Sequence, residues 1–355
     1  MRSLLKRMRN KLIMIPVFCK LGILRRRVVD FFEKPVYEEV SLEEVKEIYG
    51  TGTNDTNEKY FIVYAQMPKG GLFVYLISCM SQIAHALQKG YIPVVDLLNF
   101  SSDLRNKREE NAWELYFEQP QGVCVQDVYG AANIVFHNEE VEKELYIGDV
   151  EPGKSYDEFH VVIDERGEFR DWYQNEELMK TFKAFWKTNI RYNQFVKDYI
   201  DRKFGEIIGD EKAVLGLLCR GTDYISLRPK GHYVQPSVEQ IIEKVNEILE
   251  KFTCKRIFLA TEDLDILKKL QKKYGEKLVY MDVPRVKYYE GVQLSDLYKK
   301  QKMDLFQRQL DYLTEMEILA RLPYLIAGKT TGSRFIPVMK EGRFDYLFYW
   351  ELGIY

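Results

Sequence analysis

The sequence predicts an α/β protein built on doubly wound parallel sheets. Three observations predict it. Short apolar runs alternate with stretches of helical period from residue 60 onward, the pattern of βαβ units. The best polar clusters follow the C-terminal ends of apolar runs, where open α/β sheets bind ligands. A length of 355 residues with 46% hydrophobic content allows two domains with sizeable cores.

The elements follow in order. Tyr60–Gln66 reads as a strand, broken by Gly70 and Gly71. Leu72–Gln88 reads as a helix, with Leu76, Met80, Ile83 and Leu87 at helical spacing. Gly90 ends it, and Tyr91–Asp96 is the next strand, completing a βαβ unit. Phe100–Gln126 is polar and irregular, anchored by Trp113, Tyr116 and Phe117, and is expected to be an acceptor-binding insertion. Asn175–Ile208 carries a helical period as one helix or two, and Gly205–Lys212 offers a domain boundary.

The second half repeats strand, loop and helix. The apolar run beginning at Ala213 is a buried strand, and the stripe from Val238 to Leu249 is a helix that starts near Pro236. Arg256–Ala260 and Leu278–Met281 are strands, Asp311–Arg321 a helix, and Tyr324–Ala327 a strand. Thr261, Glu262 and Asp263 cap one helix, and Gly328–Ser333 opens the last. The expected organisation is a basic leader over 1–30 and two α/β domains, over 31–205 and 206–355.

A net charge of −2 offers no general attraction for nucleic acid. Five cysteines with no C-x-x-C pair argue against disulfides and structural zinc, which fits a reduced cytoplasm. Four histidines without metal-ligand spacing predict no metal. The leader is different: nine Lys or Arg and no acid lie between Met1 and Arg27. Its longest apolar run is too short to span a bilayer. Contact with an anionic membrane surface through residues 1–27 is one reading, and a solvated tail is the other.

The strongest feature is Leu218-Cys-Arg220-Gly221-Thr222-Asp223, at a strand end. A guanidinium there can grip a diphosphate bidentately. Asp223 and His232 share its loop and are the candidate catalytic bases. Thr330, Thr331, Gly332 and Ser333 form a second anion site, between a strand and a helix start. Glu262 and Glu315 could accept hydrogen bonds from a base or ribose. Plain alternatives stay open: an Arg–Asp structural pair, a helix cap at Thr330, solvated carboxylates, and a histidine that only fixes its loop. Two look-alikes are rejected. Gly328-Lys-Thr330 lacks the earlier glycine of a P-loop, since position 323 is Pro, and Asp263-Leu-Asp265 falls at a helix start where Asp caps.

These residues resemble the fucosyltransferase superfamily, which includes α-1,6-, α-1,2- and protein O-fucosyltransferases. Leu218–Asp223 resembles its H-x-R-R-x-D motif. Ile257–Asp263 resembles its second motif, and Leu313–Thr331 its third. The chain is also similar to uncharacterised bacterial polysaccharide-cluster glycosyltransferases that share Gly-Thr-Asp-Tyr and Gly-His-x-x-Gln-Pro. The resemblance covers about residues 206–340 well and the first half poorly. It implies a GT-B fold, two Rossmann-like domains with parallel sheets facing across a cleft. It further implies GDP-fucose as donor, inversion at the anomeric carbon, a glycan or lipid-linked acceptor, and no cofactor or metal. It makes Arg220 the β-phosphate ligand, Glu315 a nucleotide contact, and Thr330 and Thr331 phosphate-side hydroxyls; Gly221, Thr222, Thr261, Glu262, Gly332 and Ser333, at the same strand ends, are further candidate donor contacts. Leu218 and Gly221 depart from the motif's His and second Arg, which leaves another nucleotide sugar open as donor. A catalytically inactive glycan- or nucleotide-binding protein is the alternative outside enzymes.

Overall fold

The computed structural model describes residues 40–50, 52, 58–67, 70–136, 176–287, 294–295, 298 and 303–355. The basic leader expected over 1–30 lies outside them. The chain divides into two compact units, Met1–His160 with Thr188–Asn193, and Val161–Lys187 with Gln194–Tyr355.

In the first unit, α1 spans Leu42–Tyr49, its N-cap Ser41 accepting from Glu44 N. Strand β1 is Tyr60–Val63, α2 is Leu72–Gln88 and β2 is Ile92–Val95. The helix expected over 72–88 therefore forms between the expected bounds. A third strand, β3 at Ile134–Phe136, was not expected. The sheet is parallel, in order β2-β1-β3. Its core joins Ile62, Val94 and Phe100 to Val45 and Tyr49 of α1. Buried side-chain amides tie down the irregular stretch after β2. Asn111 and Gln119 both bond the backbone of Val95, and Trp113 and Tyr116 are buried. The two aromatics serve as packing anchors there.

In the second unit, α3 is Glu176–Asn189 and α4 is Gln194–Ile207, so the long helical stretch is two helices. Strands β4 (Val214–Leu218), β5 (Arg256–Ala260), β6 (Leu278–Val279), β7 (Tyr324–Ala327) and β8 (Tyr346–Tyr349) form one parallel sheet in the order β6-β5-β4-β7-β8. Helix α5 is Thr222–Leu227, α6 Val238–Phe252, α7 Leu264–Tyr274, α8 Leu305–Arg321 and α9 Thr331–Met339. Burial is complete along β4 and nearly so along β5 and β7, as strands covered on both faces require. The two-sheet α/β architecture thus matches the expected fold class.

The units do not divide at the expected 205–206 break. Helices α3 and α4 belong with the second sheet. Tyr199 of α4 donates to Asp311 of α8 at 2.6 Å, Asp201 pairs with Arg321 at 2.7 Å, and Trp186 of α3 meets Phe335. Side chains that pair across distant segments set this boundary, and helical period alone does not reveal them. Among the described residues, no helix is long and apolar enough to cross a membrane.

Candidate functional site

The order of the second sheet places its topological switch point between β4 and β7, because the chain runs outward from β4 to β6 and then returns to β7 and β8. Ligands of such sheets bind outside the carboxyl ends of the strands that flank this point. The two segments singled out in the sequence, after Leu218 and after Ala327, are those two strand ends.

Arg220 leaves the end of β4. Its Nη2 lies 3.1 Å from Asp223 Oδ1 and its Nε 3.6 Å from Glu262 Oε1, and its guanidinium sits over the Tyr224 ring at 4.9 Å. Burial works against its charge, but Glu262 and then Asp223 outweigh it and push its pKa up. The guanidinium is therefore a permanent, partly covered cation.

Asp263 and Glu262 hold the next two residues. Gly221 N donates to Glu262 Oε1 at 2.9 Å, Thr222 N to Asp263 Oδ2 at 3.0 Å, and Thr222 Oγ1 to Glu262 Oε1 at 3.0 Å. Thr222 has φ 48°, a left-handed backbone that β-branched residues avoid. Such strain costs on the order of 1–3 kcal/mol and persists where neighbours over-determine it, here two carboxylates from the β5 end. The segment expected as a loop is therefore the short helix α5, started by contacts from outside its own sequence.

Gly221 is required by close approach. A Cβ at this position would lie 2.3 Å from Asp263 Oδ2. Asp263 cannot yield easily, since its Oδ1 caps α7 through Asp265 N and Ile266 N. Gly221→Ala is expected to lower unfolding free energy by about 1–3 kcal/mol. Urea unfolding checks this, and a wild-type midpoint would contradict it.

Asp223 Oδ2 accepts from Leu294 N at 3.2 Å, while its Oδ1 serves Arg220 and Thr222. His232 stands edge-on to Tyr224 at 5.0 Å. Burial lowers its pKa, with Asp223 opposing and Arg220 assisting. A lowered pKa leaves the imidazole neutral at pH 7 and able to accept a proton. The segment that carries it is strapped by the C-terminal residues: Tyr355 N donates to His232 O, and Gly231 N to Tyr355 O.

At the end of β7, Thr330 and Ser333 form a reciprocal cap. Thr330 Oγ1 accepts from Ser333 N at 3.0 Å, and Ser333 Oγ accepts from Thr330 N at 2.7 Å. Their hydroxyls serve the backbone, as the helix-cap alternative anticipated. Thr331 and Gly332 follow as the first residues of α9. Tyr312 of α8 connects the two strand ends. It hydrogen-bonds Thr330 and lies in the field of Arg220, with burial pushing its pKa up to about 12.

Two predicted residues sit deeper. Thr261 is buried, its Oγ1 taking Asp263 N and its carbonyl taking Arg285 Nε. Glu315 is 6% exposed, and its Oε1 has no hydrogen-bond partner and lies 3.9 Å from Arg285 Nη2. Burial raises its pKa to about 8, although Arg285 opposes this. Arg285 meanwhile donates to the carbonyls of Thr261, Val283 and Met281.

Arg285, Arg308, Tyr298 and Tyr312 were missed in the sequence. Only α8 offered a signal. Arg308, Tyr312 and Glu315 recur at helical spacing on a helix that is buried along most of its length. Among the described residues no group of three or more His, Cys, Asp or Glu could hold a metal ion.

No protein-family model matches the chain, and no curated protein matches it. Solved structures do. Fucosyltransferase NodZ from Bradyrhizobium is 14% identical with a TM-score of 0.43, over 80% of this chain and 94% of that one. POFUT1 in complex with GDP-fucose is 12% identical with a TM-score of 0.43, over 86% of this chain and 100% of that one. An arginine-to-lysine mutant of FUT1 from Arabidopsis thaliana in complex with GDP is 10% identical with a TM-score of 0.41, over 82% of this chain and 70% of that one.

Proposed function

We propose that the chain is a glycosyltransferase that moves fucose from GDP-fucose to a glycan acceptor, with inversion and without an obligatory metal. One observation carries the reading. A permanent guanidinium, Arg220, and the start of α9 flank the switch point of one parallel sheet. Together they suit the two phosphates of a nucleotide sugar.

In the proposed reaction an acceptor hydroxyl attacks the sugar C1. The bond from C1 to the diphosphate oxygen breaks, and GDP leaves with the electron pair. The hydroxyl proton passes to a base, His232 or Asp223. Negative charge grows on the leaving diphosphate, where Arg220 and the backbone N–H groups of Thr331 and Gly332 would stabilise it. Asp263 acts in this reading as the cap of α7 and not as a metal ligand. In this reading the acceptor is a surface glycan or a lipid-linked oligosaccharide.

Gly221 and Leu218 favour a second reading with a different nucleotide sugar, because neither can supply the motif's extra cationic groups. A donor panel in EDTA tests both. Turnover of GDP-fucose in EDTA is the expected result. Turnover of another nucleotide sugar alone selects the second reading. Binding without turnover selects an inactive binding protein, and activity restored only by Mn²⁺ removes the metal-free mechanism.

A further inference from the structure

Gln235 closes the stretch that carries His232, and Gly328-Lys329-Thr330 follows β7. In the folded chain the two stretches meet. The Gln235 side chain is 6% exposed. Its Nε2 donates to Lys329 O at 2.9 Å and to Tyr233 O at 3.1 Å. Its Oε1 rests against Gly328, where a Cβ would lie 2.1 Å away. Gly328 has no positive φ, so the amide of Gln235, and not the backbone, demands this glycine.

Stability does not account for an amide here. Oε1 is buried without a hydrogen-bond partner, a cost that an apolar side chain of the same size avoids. Turning the amide over would set its oxygen against two carbonyl oxygens, so its N–H groups must face Lys329 and Tyr233. What the amide supplies is a fixed register between two segments. One carries His232, which lies against the Tyr224 ring at 5.0 Å, as the Arg220 guanidinium does at 4.9 Å. The other is the end of β7, where Gly328 N donates to Leu218 O at 3.0 Å and Thr330 caps α9. The His232 segment also pairs with C-terminal residues, Val234 N with Gly353 O at 3.0 Å and Tyr233 with Ile354. Those backbone bonds do not involve the Gln235 side chain.

We propose that Gln235 is a positioning residue, which registers His232 to the ends of β4 and β7. The inference rests on the proposed reaction, in which His232 takes the acceptor proton, and adds the side chain that sets its distance from the leaving diphosphate. A displacement of about 1 Å in such a group loses on the order of a hundredfold in rate.

The test compares wild type, Gln235→Ala, Gly328→Ala and the double variant, all in the full chain. The first readout is the His232 titration by NMR, assigned among four histidines with His232→Asn. Burial and Arg220 hold the wild-type imidazole below its ordinary value, with Asp223 opposing. Gln235→Ala is expected to raise it by about half a unit or more, as water reaches the ring. Gly328→Ala should act in the same direction, because its Cβ expels the amide. The double variant should be no worse than either single one, since without that amide the new Cβ meets nothing closer than Pro236 Cδ at 3.7 Å. An unchanged titration in Gln235→Ala overturns the proposal, as do additive losses in the double variant. Should Gly328→Ala fail to fold, a folded double variant supports the contact and an unfolded one overturns it. The second readout is GDP release from GDP-fucose with water as acceptor. Gln235→Ala should lower kcat by at least about tenfold and change the donor KM by less than about threefold. An unchanged kcat, or a change in KM alone, overturns the positioning role. Wild type that releases no GDP defeats the donor reading, and the titration and the double variant then decide the Gln235 contact on their own.

Discussion

Arg220→Lys is expected to cut sugar transfer by at least about tenfold, and Arg220→Gln by at least about a hundredfold. The guanidinium is engaged on two edges, Nη2 toward Asp223 and Nε toward Glu262, with N–H groups left for a ligand. An ammonium keeps the charge but has no planar fork, so it must abandon one carboxylate or the ligand. Loss of charge-assisted bonds of this kind costs about 1–3 kcal/mol. The loss should fall on kcat, because the diphosphate gains charge only as the glycosidic bond breaks. Initial rates with saturating donor measure it. Near-wild-type turnover in Arg220→Lys would remove Arg220 from the reaction. A melting curve separates this effect from unfolding, since Glu262 also holds Gly221 N and Thr222 Oγ1 and would keep those contacts.

The site's frame was legible because strand ends are. Val214–Leu218, Arg256–Ala260 and Tyr324–Ala327 are apolar runs long enough to be buried strands, and polar residues crowd their C-terminal sides. Helix α2 was legible from its period alone. Three kinds of feature were hidden. Strand β3 has three residues, too few for a repeat to stand out. Helix α5 depends on Glu262 and Asp263, about forty positions away. Arg285 binds three carbonyls, and backbone acceptors have no side-chain signature in a sequence. Arg308 could have been found. It shares a helix face with Tyr312 and Glu315, and polar residues repeating along an otherwise buried helix indicate a polar site beneath that face.

Glu315→Gln is expected to make the protein more stable than wild type at pH 8 and to match it near pH 5. The buried carboxyl of Glu315 has a pKa of about 8 against an ordinary 4.5. Below pH 4.5 it is protonated both folded and unfolded, and folding gains nothing from the proton. Between 4.5 and 8 the folded chain holds a proton that the unfolded chain releases, so wild-type stability falls as pH rises through this window. Each pH unit is worth about 1.4 kcal/mol, so the loss is at most about 5 kcal/mol. Glutamine matches the neutral acid in shape and has no proton to lose. Its carbonyl can face Arg285, whose guanidinium is already held by three carbonyls and needs no carboxylate. Denaturant unfolding of both proteins from pH 5 to pH 8.5 gives the difference directly. If Glu315 is instead ionised and paired with Arg285, the variant will be less stable at pH 8, and the sign of the difference will reverse.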